Sequence, residues 1–240
     1  MSRWARTTLR RRLRDALAPL GLRRRAHRLA NRGRPPAVFI WVPRTGGTSV
    51  HRSLERAGCY KLKTVREVRY DFSQTGLATF GHQWFYGLVA EGVITRAYAE
   101  SAWTFAFVRN PWDRAVSLHA YLRRRDLLGP RETFDEFARR LADRDFDPIG
   151  LYTARRLSWC NPQVEWLRDT EGRLRVDFVG RFESLAEDLA VVQQRLGIER
   201  SLPHLNAARR APYREVYDDR TRELVASAYA EDIEAFGYKF

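Results

Sequence analysis

Lysine is almost missing from this chain of 240 residues: it occurs at Lys61, Lys63 and Lys239, leaving 40 of the 43 basic residues as arginine. The skew fits a GC-rich coding sequence and by itself points to no partner. Cysteine is scarcer still. Cys59 and Cys160 stand about a hundred residues apart, which excludes a disulfide framework and a cysteine metal motif and predicts two buried thiols. Long apolar runs are also lacking. The longest, Ala37–Val42 and Trp103–Val108, fall far short of the ~18–20 residues that cross a bilayer. Arginines interrupt every apolar stretch near the N-terminus, so no signal peptide is expected. These absences predict a soluble protein of the bacterial cytoplasm.

Acid is lacking where base is densest. Residues 1–34 hold twelve arginines against Asp15 alone, so they carry +11 of the net +14. The basicity therefore belongs to an arm and not to a body-wide nucleic-acid surface, which makes nucleic acid an unexpected partner. Leu9, Leu13, Leu17 and Leu20 recur at roughly helical spacing in this arm, and Pro19-Leu20-Gly21 predicts a break into two short helices. Peripheral contact with an anionic membrane, organelle targeting, and a solvated, partly disordered extension are all open readings. Pro35-Pro36 marks the boundary, giving a basic helical arm over 1–34 and a folded domain over 37–240.

With 44% hydrophobic and 30% charged residues, the body can bury an ordinary core. Short apolar runs alternate with helical patterns. Ala37–Val42 reads as a buried strand and runs into Pro43-Arg44-Thr45-Gly46-Gly47-Thr48-Ser49, after which Val50, Ser53, Leu54 and Ala57 keep one helix face. Trp103–Val108 reads as a second buried strand. The helix after it should bury Trp112, Ala115, Val116, His119 and Leu122, with Asn110 as cap and Pro111 in its first position. A third strand is expected over Arg175–Val179, a helix over Glu183–Leu196, and a last helix from about Asp219 to Phe236, ending at Gly237. Alternation of this kind predicts an α/β fold with a central, mostly parallel sheet flanked by helices.

Two places carry chemistry. In the turn after the first strand, the amides of residues 45–49 can converge on an anion at a helix N-terminus. Thr45, Thr48 and Ser49 add hydroxyls there and Arg44 adds a fixed positive charge. It is not a Walker A loop, because Gly47 is followed by Thr48-Ser49 and not by Lys-Ser/Thr. The second place is Arg109, at the tip of the second strand, with Ser117 two turns into the next helix. Carboxyl ends of parallel strands are where such sheets bind ligands. Two anion sites after two strands of one sheet suit a nucleotide phosphorylated at both ends of its ribose.

These segments resemble a known family. "VFIWVPRTGGTSVHRSL" is similar to the 5′-phosphosulfate loop of the sulfotransferases, specifically the carbohydrate-type branch that includes the hexuronic acid 2-O-sulfotransferases and bacterial relatives. "FAFVRNPWDRAVSLHAYLR" is similar to that branch's 3′-phosphate segment. "DFVGRFESLAEDL" and the stretch from "PHLNAARR" to the C-terminus resemble its closing landmarks, and the likeness runs in patches from about Val38 to Phe240. The resemblance implies a P-loop-like sulfotransferase fold and 3′-phosphoadenylyl sulfate as donor, with adenosine 3′,5′-bisphosphate as product. It also implies a saccharide or glycoconjugate as acceptor. Arg44, Thr45, Gly46, Gly47, Thr48 and Ser49 would then hold the 5′-phosphosulfate, Arg109 and Ser117 the 3′-phosphate, and Asn206 would close over the nucleotide. Through "GHQWFYG" the resemblance gives His82 the part of catalytic base, and through position it gives Arg124 a contact to the acceptor. The sequence departs from the pattern twice: Phe80 stands where those enzymes carry a further histidine, and Arg44 where the family has lysine.

Elementary chemistry supports the base. Sulfuryl transfer spreads charge over oxygens, so positioning and electrostatics dominate, while the acceptor hydroxyl must lose a proton to a group such as histidine. No carboxylate pair or Cys/His cluster suggests a metal. Trp84, Phe85 and Tyr86 read as core or as a sugar platform, and Arg123–Arg125 as a solvated helix end or an attractor of acidic glycan. Two other classes stay open: a nucleotide-dependent kinase, and a non-catalytic binder of anionic glycan, membrane or nucleic acid acting through the arm. Deleting residues 1–34 would separate the binder from the enzyme.

Overall fold

The computed structural model describes residues 21–55, 57–145, 157–198 and 212–240. In chain order these form α1 (Leu22–Ala30), β1 (Ala37–Ile40), α2 (Gly47–Glu55), β2 (Tyr60–Lys61), α3 (Val65–Asp71) and β3 (Leu77–Thr79). Next come α4 (Phe85–Ala90), α5 (Arg96–Ser101), β4 (Trp103–Val108), α6 (Pro111–Arg123), α7 (Phe134–Ala142) and α8 (Gln163–Leu167). The chain closes with β5 (Phe178–Arg181), α9 (Leu185–Arg195), a 3₁₀ turn at Tyr213–Val216, α10 (Asp219–Ala228) and α11 (Ala230–Phe236). No helix among the described residues is long and apolar enough to cross a membrane.

The strands form one five-stranded sheet in the order β2-β3-β1-β4-β5, and every pairing is parallel. A parallel sheet is covered on both faces, so its strands need apolar residues at every position. β1 is buried throughout, and five of the six residues of β4 are. Alternation then sorts the side chains. Phe39, Trp41, Phe105 and Phe107 pack on Val50 and Leu54 of α2 and on Leu189 and Val192 of α9. Val38, Ile40, Ala106 and Val108 face the other way, onto Trp112, Ala115, Leu118 and Leu122 of α6. Within α6, Val116 and His119 are only partly buried. The His119 ring instead lies between Phe134 and Phe137, 5.5 and 5.4 Å away.

Three boundaries differ from the expected ones. β1 stops at Ile40, although Trp41 and Val42 stay buried. β5 begins three residues late because Asp177 is spent as an anchor, its carboxylate accepting from the Thr104 N–H and hydroxyl at 2.7 and 2.8 Å. The last helix is two, jointed at Tyr229, whose hydroxyl donates to the Cys160 carbonyl at 2.9 Å and whose ring is buried. Gly237 caps the second of them in the left-handed conformation, as expected. Both cysteines are buried and free.

Of the arm, residues 21–34 are described. α1 lies against α3: Arg23 pairs with Asp71 at 2.8 Å, and His27 is buried beside Tyr60 and Phe72. Its Nδ1 accepts from the Ser73 N–H at 3.3 Å and faces the Ser73 hydroxyl at 2.5 Å. This part of the arm is thus packed onto the body, and a deletion through residue 34 would strip a buried contact.

Candidate active site

β1 leads toward β2 on one side, and β4 leads to β5 on the other, with α2 and α6 on opposite faces of the sheet. Their outgoing turns therefore diverge and leave a crevice at the carboxyl edge between neighbouring strands, the usual ligand position in such sheets. Arg44–Ser49 and Arg109–Asn110 border this crevice.

The first turn is tight. Arg44 holds a left-handed φ of 69°, uncommon for a residue with a side chain. Gly46 follows at φ 82°, and a Cβ there would stand 2.9 Å from the Phe182 ring. A Cβ on Gly47 would come within 2.0 Å of Trp41 Nε1. The Thr45 hydroxyl is turned inward, donating to the Val42 carbonyl at 2.9 Å, so Thr45 can offer a ligand only its amide. Ser49 and Val50 give their amides to Gly46 O at 2.9 and 3.2 Å. Among the described residues no carbonyl takes the amides of Thr45, Gly46, Gly47 or Thr48. Four such donors at the start of α2, where the helix dipole adds positive potential, form an anion cradle.

The two arginines join this turn to the second one. Arg44 donates from Nε and Nη2 to Ser117 Oγ at 3.1 and 2.9 Å and lies over the Tyr121 ring at 4.7 Å. Arg109 Nη1 donates to the Arg44 carbonyl at 3.3 Å, and its guanidinium packs over Phe182 at 4.0 Å. Asp113 holds the same guanidinium through Nε and Nη2 at 2.7 and 2.6 Å. Buried Arg114 braces the wall behind, donating to the carbonyls of Pro43, Trp159 and Asn161 at 3.1, 2.6 and 3.0 Å. The two turns are thus tied to each other through Arg44, Ser117 and Arg109.

His82 lies in the turn after β3. Its Nδ1 is 3.2 Å from the Trp41 carbonyl, which can only accept, so Nδ1 carries a proton. The ring meets Trp41 and Trp159 edge-on at 5.4 and 4.7 Å, and Trp159 in turn lies 4.7 Å from Tyr121. Burial pushes the pKa down to about 4. The Trp41 carbonyl opposes that shift, and the Lys61 and Arg44 charges add to it. At neutral pH the imidazole is therefore neutral, with its proton on Nδ1 and the Nε2 lone pair available. The Lys61 ammonium sits 3.7 Å over the Trp41 ring, and its own pKa is lowered by burial and then by Lys63.

Arg44, Thr45, Gly46, Gly47, Thr48, Ser49, Arg109 and Ser117 thus gather at the crevice, and His82 borders it across Trp41. Arg124 is exposed at the end of α6; its neighbour Arg125 is the one that reaches Tyr121, at 5.5 Å. Asn206 lies outside the described residues. Phe85 is core, and Trp84 is tied by its indole N–H to the Arg168 carbonyl at 3.0 Å. Sequence reasoning missed Tyr121, Trp159, Trp41 and Lys61, which come together only through the fold. Asp113 could have been found, standing four residues after Arg109 on a helix.

Comparison with known proteins bears on the family and on the fold. The model of the sulfotransferase family matches residues 32–239. A sulfotransferase structure from Alicyclobacillus acidocaldarius superposes with a TM-score of 0.50 at 19% identity, covering 85% of this chain and 97% of that one. It establishes likeness of fold. Mouse sulfotransferase SULT7A1 complexed with PAP gives a TM-score of 0.43 at 14% identity, over 84% of this chain and 67% of that one. An uncharacterized protein of Archaeoglobus fulgidus is 31% identical over 114 residues, 47% of this chain and 82% of that protein. With a family model spanning the sheet, the cradle and both arginines, this chain belongs to the sulfotransferase family.

Proposed function

We propose that the protein transfers a sulfuryl group from 3′-phosphoadenylyl sulfate to a hydroxyl of a carbohydrate or glycoconjugate. The observation that carries this reading is the meeting of an anion cradle with Arg109 and Ser117 in one crevice. The cradle amides, which no carbonyl among the described residues takes, and two glycines whose Cβ positions are already filled by Trp41 and Phe182, fit a 5′-phosphosulfate lying against backbone. Arg109 and Ser117 would take the 3′-phosphate. The donor supplies the sulfuryl group and leaves as adenosine 3′,5′-bisphosphate.

The chain's own groups do the rest. His82 Nε2 takes the proton of the acceptor hydroxyl while the Trp41 carbonyl keeps the ring oriented. Arg44 neutralises charge growing on the leaving oxygen. A guanidinium holds its proton at any working pH, so its part is electrostatic and the departing phosphate leaves as the anion. Buried Trp159 links His82 to the half-buried ring of Tyr121, and Arg125 over Tyr121 favours an acidic acceptor.

Incubation with 3′-phosphoadenylyl sulfate and a panel of neutral and uronic-acid glycans, read by mass spectrometry, tests this directly. A sulfated glycan lost in His82→Ala is the expected outcome. Magnesium-dependent phosphate transfer from ATP would instead establish the kinase reading.

The arm is assigned a separate role, peripheral contact with anionic membrane. Leu22 and Leu29, seven residues apart on one face of α1, are exposed among Arg25 and Arg28. Co-sedimentation with vesicles of phosphatidylglycerol but not phosphatidylcholine, weakened in Leu22→Ser/Leu29→Ser, is expected; equal recovery with both lipids would refute it.

A further inference from the structure

Arg109 stands one residue beyond the end of β4, where the sheet no longer serves its backbone. Its neighbour Val108 still gives its carbonyl to the Phe182 amide at 2.7 Å. For Arg109 the partner on both sides is a single side chain, Gln163, at the first position of α8. The Gln163 Oε1 accepts from the Arg109 N–H at 2.8 Å, and its Nε2 donates to the Arg109 carbonyl at 2.8 Å. A carboxamide is the one side-chain group that offers an acceptor and a donor side by side, and here it copies a strand partner.

Gln163 is in turn fixed from the C-terminal helix. Asp232 of α11, fully buried like Gln163, accepts from Gln163 Nε2 at 3.1 Å, from the Gln163 amide at 2.9 Å and from the Val164 amide at 2.9 Å. A second relay reaches the next residue. The Tyr238 hydroxyl faces Glu183 Oε2 at 3.0 Å, Glu183 Oε1 accepts from the Asn110 amide at 2.6 Å, and Asn110 Nδ2 donates to the Lys239 carbonyl at 2.9 Å. The C-terminal segment from Asp232 to Lys239 thus holds Arg109 and Asn110 together.

We propose that Gln163, oriented by Asp232, is a positioning residue for Arg109, so that the C-terminal segment sets the affinity for the 3′-phosphate of the nucleotide. The inference rests on the donor reading given above. It separates two ligand features: Gln163 holds the Arg109 backbone directly, whereas it reaches the cradle at Arg44–Ser49 only through the bond of the Arg109 side chain to the Arg44 carbonyl. Loss of Gln163 should therefore weaken recognition of the 3′-phosphate selectively. A general loosening of the fold would weaken nucleotide binding as a whole.

The test is calorimetric titration of wild type, Gln163→Met and Asp232→Asn with adenosine 3′,5′-bisphosphate and with AMP, alongside thermal melts. Methionine keeps the volume of glutamine and removes all three side-chain hydrogen bonds, two with Arg109 and one to Asp232. Asparagine at 232 keeps the shape of aspartate but turns an N–H toward N–H donors. In both variants the preference for the bisphosphate over AMP should fall by about tenfold, the scale of losing one or two backbone hydrogen bonds that fix the Arg109 main chain, while AMP affinity stays within about twofold. A wild type that prefers the bisphosphate, beside variants that prefer it equally or lose both nucleotides in parallel, overturns the positioning role alone. A wild type without that preference overturns the donor reading and this inference with it. If Gln163→Met fails to fold, Asp232→Asn carries the same comparison.

Discussion

His82 enters the chemistry as a neutral ring because burial has already removed the cost of deprotonating it. Its pKa lies near 4, against an ordinary value of 6.5, so the base is ready at any pH above about 5. Activity should therefore show no acid limb near pH 6.5, and kcat/KM measured from pH 5.5 to 8 should be flat on that side. A limb at 6.5 lost in His82→Ala would mean the ring titrates as if solvated. Arg44 makes a second residue-scale claim. Arg44→Lys keeps a cation at the leaving oxygen and should retain activity, whereas Arg44→Met should lower kcat by at least about a hundredfold, the loss typical of one preorganised stabilising donor. Steady-state kinetics with saturating acceptor decides it.

His27 gives a stability counterpart, since its pKa is also pushed down to about 4 by burial. Below pH 6.5 the unfolded chain takes up a proton there that the folded chain refuses until about pH 4. Stability present above 6.5 is therefore lost as pH falls through that window, by about 3 kcal/mol for a shift of this size. Melting curves from pH 4 to 7 should be steeper for wild type than for His27→Gln; identical slopes would show that the histidine is not what holds α1 down.

At the scale of elements, the anion cradle depends on glycines with no room for a side chain. Gly47→Ala would drive a methyl group into Trp41 and should abolish nucleotide binding even where the far-UV spectrum stays native. Full binding by that variant would mean the turn is not pressed against the indole. The elements legible in sequence were those with strong local signals. β1 and β4 announce themselves as apolar runs, and α6 by Asn110, which caps it by accepting from Trp112 and Asp113. β2 and β3 span two and three residues, too few for any period, and their strand character comes from pairing alone. The joint at Tyr229 was equally hidden, because the apolar spacing continues across it. At the joint Tyr229 leaves helical geometry, with φ −119° and ψ 29°, and its hydroxyl donates to the distant Cys160 carbonyl. The site divides the same way: Arg44 and Arg109 sit in local motifs, while Trp159 and Gln163 reach it only through the tertiary fold.

At the scale of the whole molecule, the sheet order supplies the function with its place. β1 and β4 are neighbours whose outgoing helices lie on opposite faces, so the crevice between them is a consequence of topology and not of any one loop. Most of the excess charge belongs in sequence to the arm, of which α1 packs onto α3 through Arg23 and His27. Truncation should accordingly stop at residue 20. That shorter chain should turn over in solution as the full one does and, keeping Leu22 and Leu29, should still bind anionic vesicles. The central claim is that the crevice reads a nucleotide phosphorylated at both ends of its ribose. Calorimetric titration with adenosine 3′,5′-bisphosphate, AMP and ATP tests it most directly. Tight binding that requires the 3′-phosphate, and that loses this requirement in Arg109→Ala, is the predicted result; absence of binding, or a preference for ATP, would contradict the account.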